Sequence, residues 1–137
     1  MKKKIFLVIG IAILSGAAYG FYLFNKPHQS LADVTPDFKL NSEALITAYE
    51  QDEKGANAKY LGKVVEVTGV VSEKTKDEKG KVSITLAGPD LAGIGCDFER
   101  NAAEKVSTLN VGDQVKIKGT CTGVLMDVVM VDCVVEQ

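Results

Sequence analysis

From Lys63 onward the chain alternates. In KVVEVTGVVSE, Val65, Val67, Gly69 and Val71 fall on one face, and Val64, Glu66, Thr68 and Val70 on the other. This is the period of a half-buried strand. Gly69 inside the run predicts a bulge or a sharp coil. KTKDEKGK, with Gly80 able to take a positive φ, reads as a polar turn. VSITLA alternates again, with Val82, Ile84 and Leu86 inward and Ser83 and Thr85 outward. GPDLAG breaks the pattern. IGCDFE then places Ile94, Cys96 and Phe98 on one face and Asp97 on the other. RNAAEKVSTLNVGD loses the alternation, and Asn101 can cap a short helix through about Thr108. QVKIKGTC directs Val115, Ile117, Gly119 and Cys121 inward and Lys116 and Lys118 outward. VVMVDCVV is a fifth strand; with Asp132 in water, Val131 and Cys133 face the core.

Upstream the period changes. In NSEALITAYEQDEKGANAKYLGK, Asn41 or Ser42 can cap a helix, and Glu43 suits the positive end of its dipole. Leu45, Ala48, Tyr49 and Asp52 follow helical spacing, widened by Ile46, and Gly55 is expected to interrupt the helix. ANAKYL makes a second short turn that carries Tyr60 and Leu61. Residues 25–38 hold two of the three prolines and no periodicity, and read as a linker. Before them, Ile5 to Phe24 is a run of 20 uncharged residues behind Lys2, Lys3 and Lys4. At ~1.5 Å per residue it matches a bilayer core of about 30 Å. A cleaved signal with Ala18-Tyr19-Gly20 as its site is the alternative. The apolar FYLF beyond that site, with two aromatics suited to a membrane interface, favours a retained anchor. The lysines before the run, against Lys26 alone just after it, place the amino terminus in the cytoplasm and residues after Asn25 outside it.

Five strands, a helix between the third and fourth, a glycine inside the first and a leading helix form one order. It predicts a mainly β domain, a five-stranded OB-type Greek-key barrel over residues 39–137. Closure removes edge strands; a β-sandwich is the alternative. The remaining segments are an anchor or signal at 1–24 and the linker at 25–38.

Charge then narrows the chemistry. The chain has 16 basic and 18 acidic residues. Four of the basic ones precede residue 27 and no acid does, which leaves 12 against 18 beyond it. An acidic module has no overall attraction to phosphate backbones. Its aromatics are Phe38, Tyr49, Tyr60 and Phe98, while the outward positions of the second and third strands are Ser83, Thr85, Gly95 and Asp97. That is no base-stacking platform, so nucleic-acid binding is the secondary reading. Lys74, Lys76, Lys79 and Lys81 in the first hairpin, extended by Lys116 and Lys118, are the candidate contacts for an anion or an acidic partner. Asp127 and Asp132 bracket the last strand without a converging partner. The only histidine, His28, is in the linker. No ligand set for zinc, no activating base and no cofactor motif is present, so catalytic residues, a metal and a cofactor are not expected.

All three cysteines, Cys96, Cys121 and Cys133, point inward by alternation. An oxidising compartment permits one bridge and leaves one thiol. Cys121–Cys133 across the fourth and fifth strands is the first expectation, and Cys96–Cys133 the second.

From about Leu40 to Val135 the chain resembles the bacterial envelope OB-fold proteins of the tRNA_anti-like family, many of them described as lipoproteins. AYEQDEKGANAKYLGKVVEVTGVV, CDF, VGDQVKIKGTCTG and DVVMVDCVV carry the resemblance. It implies the fold, and no activity is established for the family as a whole. It also implies the bacterial cell envelope; the apolar run itself places residues 5–24 in the cytoplasmic membrane. One departure matters: in LSGA, Ala17 stands where a lipoprotein box has its lipid-bearing cysteine. Attachment would fall to the apolar segment itself. The expected function is a tethered, non-catalytic binding module for a protein or another envelope component.

Overall fold

The computed structural model describes residues 2–25 and 30–136. Its elements are helix α1 (Lys2–Phe24), strand β1 (Phe38–Asn41), helices α2 (Ser42–Gln51) and α3 (Glu53–Tyr60), β2 (Val64–Lys76), β3 (Val82–Ala87), β4 (Gly93–Phe98), α4 (Ala103–Ser107), β5 (Gln114–Val124) and β6 (Val128–Glu136).

The strands run in the order β2-β3-β4-β6-β5, and β5 pairs back onto β2. The result is a closed five-stranded barrel of the OB type, as the alternation predicts. Long β2 makes closure possible. Its first half, Val64–Val70, pairs with β5, and its second half, from Val71, pairs with β3. Gly69 sits where β2 passes from one partner to the other. A Cβ there would lie 2.8 Å from the Ser42 hydroxyl, so the glycine admits the start of α2. The bulge itself falls later, between Val71 and Glu73.

The inward positions of β2 to β5 fill the barrel as expected, with Val65, Val67, Ile84, Leu86, Ile94 and Ile117 all buried. Burial of each such side chain stabilises by roughly 1.5–3 kcal/mol. Helices close both ends. At one end α2 inserts Leu45, Ile46 and Tyr49; at the other Ala102 and Val106 cover the opening.

Several expectations are corrected. The helix break falls at Asp52, not at Gly55. Asp52 caps α3, its carboxylate accepting the Gly55 N–H at 3.0 Å, and a Cβ on Gly55 would strike that carboxylate. Phe38–Asn41 is a sixth strand, parallel to β2 through Phe38–Val65 and Asn41–Thr68. Four residues before a helix cap carry too little alternation to be read as a strand. In β6 the core residues are Val128, Met130 and Cys133 rather than Val131, because Asp132 takes φ 52 and breaks the alternation.

Residues 30–37, read as linker, lie along the barrel wall. A 3-10 turn at Leu31–Asp33 packs on β5 and β6, and the Leu31 N–H reaches the Glu99 carboxylate at 3.4 Å. Asp37 then exchanges two hydrogen bonds with Val64, at 2.8 and 3.0 Å. The rest of that linker, 26–29 with His28, lies outside the described residues.

The apolar run lies within α1, whose 23 residues make ~34 Å of helix. Among the described residues no helix is long and apolar enough to cross a membrane. The side chains of Phe6 and Leu7, which belong to the run in the sequence, lie outside the described residues.

Candidate binding surface

Strand directions define two ends. The β2–β3 hairpin, the end of β4 and α4 form one, where Leu31 meets Glu99; this is the near end. The β3–β4 and β5–β6 loops form the far end.

The far-end loops are tightly specified. A Cβ on Gly88 would collide with Ile46, and the Ser42 hydroxyl donates to the Ala87 carbonyl at 2.7 Å, so the β3–β4 loop starts pressed on α2. Pro89 opens a short turn in which Asp90 and Leu91 both take positive φ, 50° and 70°. For residues with a Cβ this conformation is costly and persists only where the surroundings impose it. The loop closes through Ala92 N–H to the Pro89 carbonyl at 2.9 Å. The Gly93 N–H then donates to the Asp127 carboxylate at 3.0 Å. Asp127 therefore ties the β5–β6 loop to the β3–β4 loop. The outcome is exposure of apolar side chains: Leu91 103 %, Leu125 89 % and Met126 96 % exposed, with half-exposed Leu61 beside Gly123. Sequence reasoning treated GPDLAG only as a strand breaker and left Leu125 and Met126 unassigned. The available signal was leucine and methionine in turns, where no packing face calls for them.

The six candidate lysines do not form one patch. Lys74 donates to the carbonyls of Ser107 and Leu109, at 2.8 and 2.9 Å, and so satisfies the carboxyl end of α4. Lys81 pairs with Asp97 at 2.9 Å, and Asp97 also accepts from the Ser83 hydroxyl at 2.7 Å. The hydrogen bond to Asp97 raises the Lys81 pKa. Burial pushes the Asp97 carboxyl up, but the Ser83 and Lys81 hydrogen bonds outweigh it and hold the group below its ordinary range. Lys116 lies 3.9 Å from Glu66. Lys118, expected in water, is 4 % exposed. The Leu31–Asp33 turn covers it, and its ammonium donates to the Ala32 carbonyl at 3.0 Å and contacts Glu136. That ion pair is close but misaligned, leaving the Glu136 Oε1 without a formal hydrogen bond. Of the six, only Lys76 and Lys79 have neither an ion pair nor a side-chain hydrogen bond among the described residues. Beside them, a groove of about 1200 Å³ is lined by charges of both signs, among them Lys79, Arg100, Asp97 and Asp132.

The aromatics are turned away from solvent. Tyr49, Tyr60 and Phe98 are buried, and half-buried Phe38 meets Tyr60 edge-on at 5.0 Å. The strand face offers Ser83, Thr85, Gly95 and Asp97 and no aromatic ring. Hydrophobic loop tips, not a stacking platform, are the distinctive surface of this domain.

The expected Cys121–Cys133 bridge is not formed: all three cysteines are buried thiols. Two register shifts between β5 and β6 set Cys121 opposite Met130. Its thiol meets the Tyr49 hydroxyl at 3.3 Å. Burial and that contact raise the Tyr49 pKa. Cys133 lies opposite Phe98 on the β4–β6 seam, with Cys96 just before it on the same strand pair; that neighbouring thiol first, and burial second, push the Cys133 thiol well above its usual value.

A lipoprotein from Klebsiella pneumoniae, proposed to bind nucleic acid, superposes with a TM-score of 0.59 at 19 % identity, over 72 % of this chain and 91 % of its own. This likeness supports the fold. Asparaginyl-tRNA synthetase from Entamoeba histolytica gives 0.49 at 17 % identity, over 74 % of this chain and 24 % of the enzyme. No curated relative matches the sequence significantly. The family model for the tRNA_anti-like proteins matches residues 1–135, and the chain belongs to that family.

Proposed function

We propose that this protein is a membrane-tethered, extracytoplasmic, non-catalytic binding module that grips a protein partner with the far end of its barrel. The exposure of Leu91, Leu125 and Met126 on two loops tied together by Asp127 carries this reading. Grouped exposed apolar side chains rimmed by polar residues are a mark of protein contact surfaces. Tethering is supported by the 20 uncharged residues Ile5–Phe24 behind three lysines and by the apolar side chains that α1 exposes. The Leu31–Asp33 turn meets the barrel at Glu99, at the end opposite the loop tips, which favours loops directed away from the anchor. β6 alone, at about 3.3 Å per residue, separates the two ends by ~30 Å. The bilayer holding α1 is therefore a poor occupant for the loop tips, and a protein held above it is a good one.

A photo-crosslinking residue at 91 or 126 in intact cells tests this. A discrete adduct that disappears when Leu125 and Met126 are changed to serine is expected. The competing reading is nucleic-acid binding, the role proposed for the Klebsiella lipoprotein. Micromolar oligonucleotide affinity that falls steeply with salt, undiminished in the serine variant, would establish it and remove the protein-contact proposal.

A further inference from the structure

The three thiols are divided unequally by the barrel. β4 and β6 meet in a parallel seam, pairing Ile94 with Val128, Gly95 with Val129 and Cys96 with Met130. The register then breaks before Phe98 pairs with Cys133. The break is Asp132, an added residue in the left-handed region at φ 52, which is how a bulge re-aims the side chain after it. Cys133 and Val134 are consequently both buried, and the Cys133 thiol enters the core. On the neighbouring strand β5, a Cβ on Gly119 would stand 2.5 Å from the Cys133 sulfur, so the glycine holds the space that this thiol occupies. Cys96 projects inward from β4, the strand paired with β6 on its other side, and is, like Cys133, wholly unexposed. Cys121 is engaged elsewhere, by Tyr49.

We infer that Cys96 and Cys133 are an oxidisable pair that closes into a disulfide across the β4–β6 seam, while Cys121 remains a thiol. Closure requires a disulfide donor, either a small-molecule disulfide such as oxidised glutathione or a protein disulfide. The thiolate of one cysteine attacks a donor sulfur and expels the donor's first thiol. The second thiolate then attacks the mixed disulfide and expels the other. The protein loses two protons and two electrons, and the donor leaves as two thiols. Burial and the raised Cys133 thiol make the finished barrel slow to react, so the bond forms as the chain folds or as the seam opens. The pairing follows from the fold alone; only the expectation that it forms in cells rests on the extracytoplasmic placement proposed above.

The test uses the full-length protein in detergent, unfolded and refolded with oxidised and reduced glutathione, then alkylated and mapped by non-reducing peptide mass spectrometry. A Cys96–Cys133 cross-linked peptide with Cys121 alkylated is expected. The oxidised form should melt roughly 10 °C or more above the reduced form. A C121S variant should retain the bridge. A bridge that includes Cys121, or three alkylated cysteines after oxidative refolding, overturns the pairing. Acid-trapped alkylation of intact cells separates the two readings. Three free thiols there, alongside the bridge in vitro, leave the pairing standing and overturn the extracytoplasmic placement.

Discussion

The two ends of the barrel are built from opposite materials. At the near end three of the candidate lysines are committed: Lys74 to α4, Lys81 to Asp97, Lys118 to the Leu31–Asp33 turn and Glu136. At the far end the polar groups hold the loops together and the apolar side chains stand in water. Lys74, Lys81 and Lys118, which look available in the sequence, thus serve the fold, while Leu91, Leu125 and Met126 stand outside the core. Packing and hydrogen bonding account for the first set; contact with another molecule is the role proposed for the second.

This contrast can be broken by mutation, starting where the effect is largest. Lys118→Ala removes a buried cation and leaves Glu136 beside an emptied site. Complete loss of a buried partner costs about 3–5 kcal/mol, and Glu136 is partly exposed, so a loss of about 2–3 kcal/mol in urea unfolding is expected. A loss under about 0.5 kcal/mol would show that the strap is loosely held and that Lys118 is available to a ligand after all. Lys74→Met frees two carbonyls at the end of α4 and should cost about 1–2 kcal/mol. Unchanged stability combined with weakened anion binding would return Lys74 to the functional column.

Asp97→Asn should cost less, about 0.5 kcal/mol, since both partners are over a third exposed and screened by solvent. Its pH dependence is specific. The Asp97 carboxyl lies below its ordinary range, so its contribution is present above the unfolded value of about 4 and lost as pH falls through the folded value. The Lys81 pKa is raised, so its contribution holds below the unfolded value of about 10.4 and is lost as pH rises through the folded one. Unfolding curves of wild type and variant should converge at the acid end; a constant gap across pH would contradict the ion-pair account. The smallest effect on stability belongs to the far end. Leu91, Leu125 and Met126 changed together to serine should move the unfolding midpoint by no more than about 0.5 kcal/mol while removing the crosslinked adduct. A large destabilisation would mean that these side chains pack in solution and are not a docking surface.

Much of the barrel was legible because burial imposes a period. Val82-Ile84-Leu86 and Ile94-Cys96-Phe98 follow strict alternation and lie in the core. Legibility failed where a residue's role depends on something distant in sequence. Phe38–Asn41 is a strand only because β2 offers it an edge. Lys118 is buried only because a turn 86 residues earlier folds over it. Leu91, Leu125 and Met126 become a surface only when two loops 34 residues apart are joined by Asp127 and Gly93.

The sequence by itself determined a mainly β domain, five of its six strands, the inward set of most of them and an apolar amino-terminal segment. Each follows from local periodicity and from the low cost of burying hydrocarbon. Only the tertiary structure decided which lysines are spent, which thiols face each other and which end of the barrel is apolar. Those outcomes depend on register, on one left-handed residue at Asp132 and on the path of residues 30–37 along the barrel. Such features arise from pairings between distant segments, and no local pattern of residues encodes them.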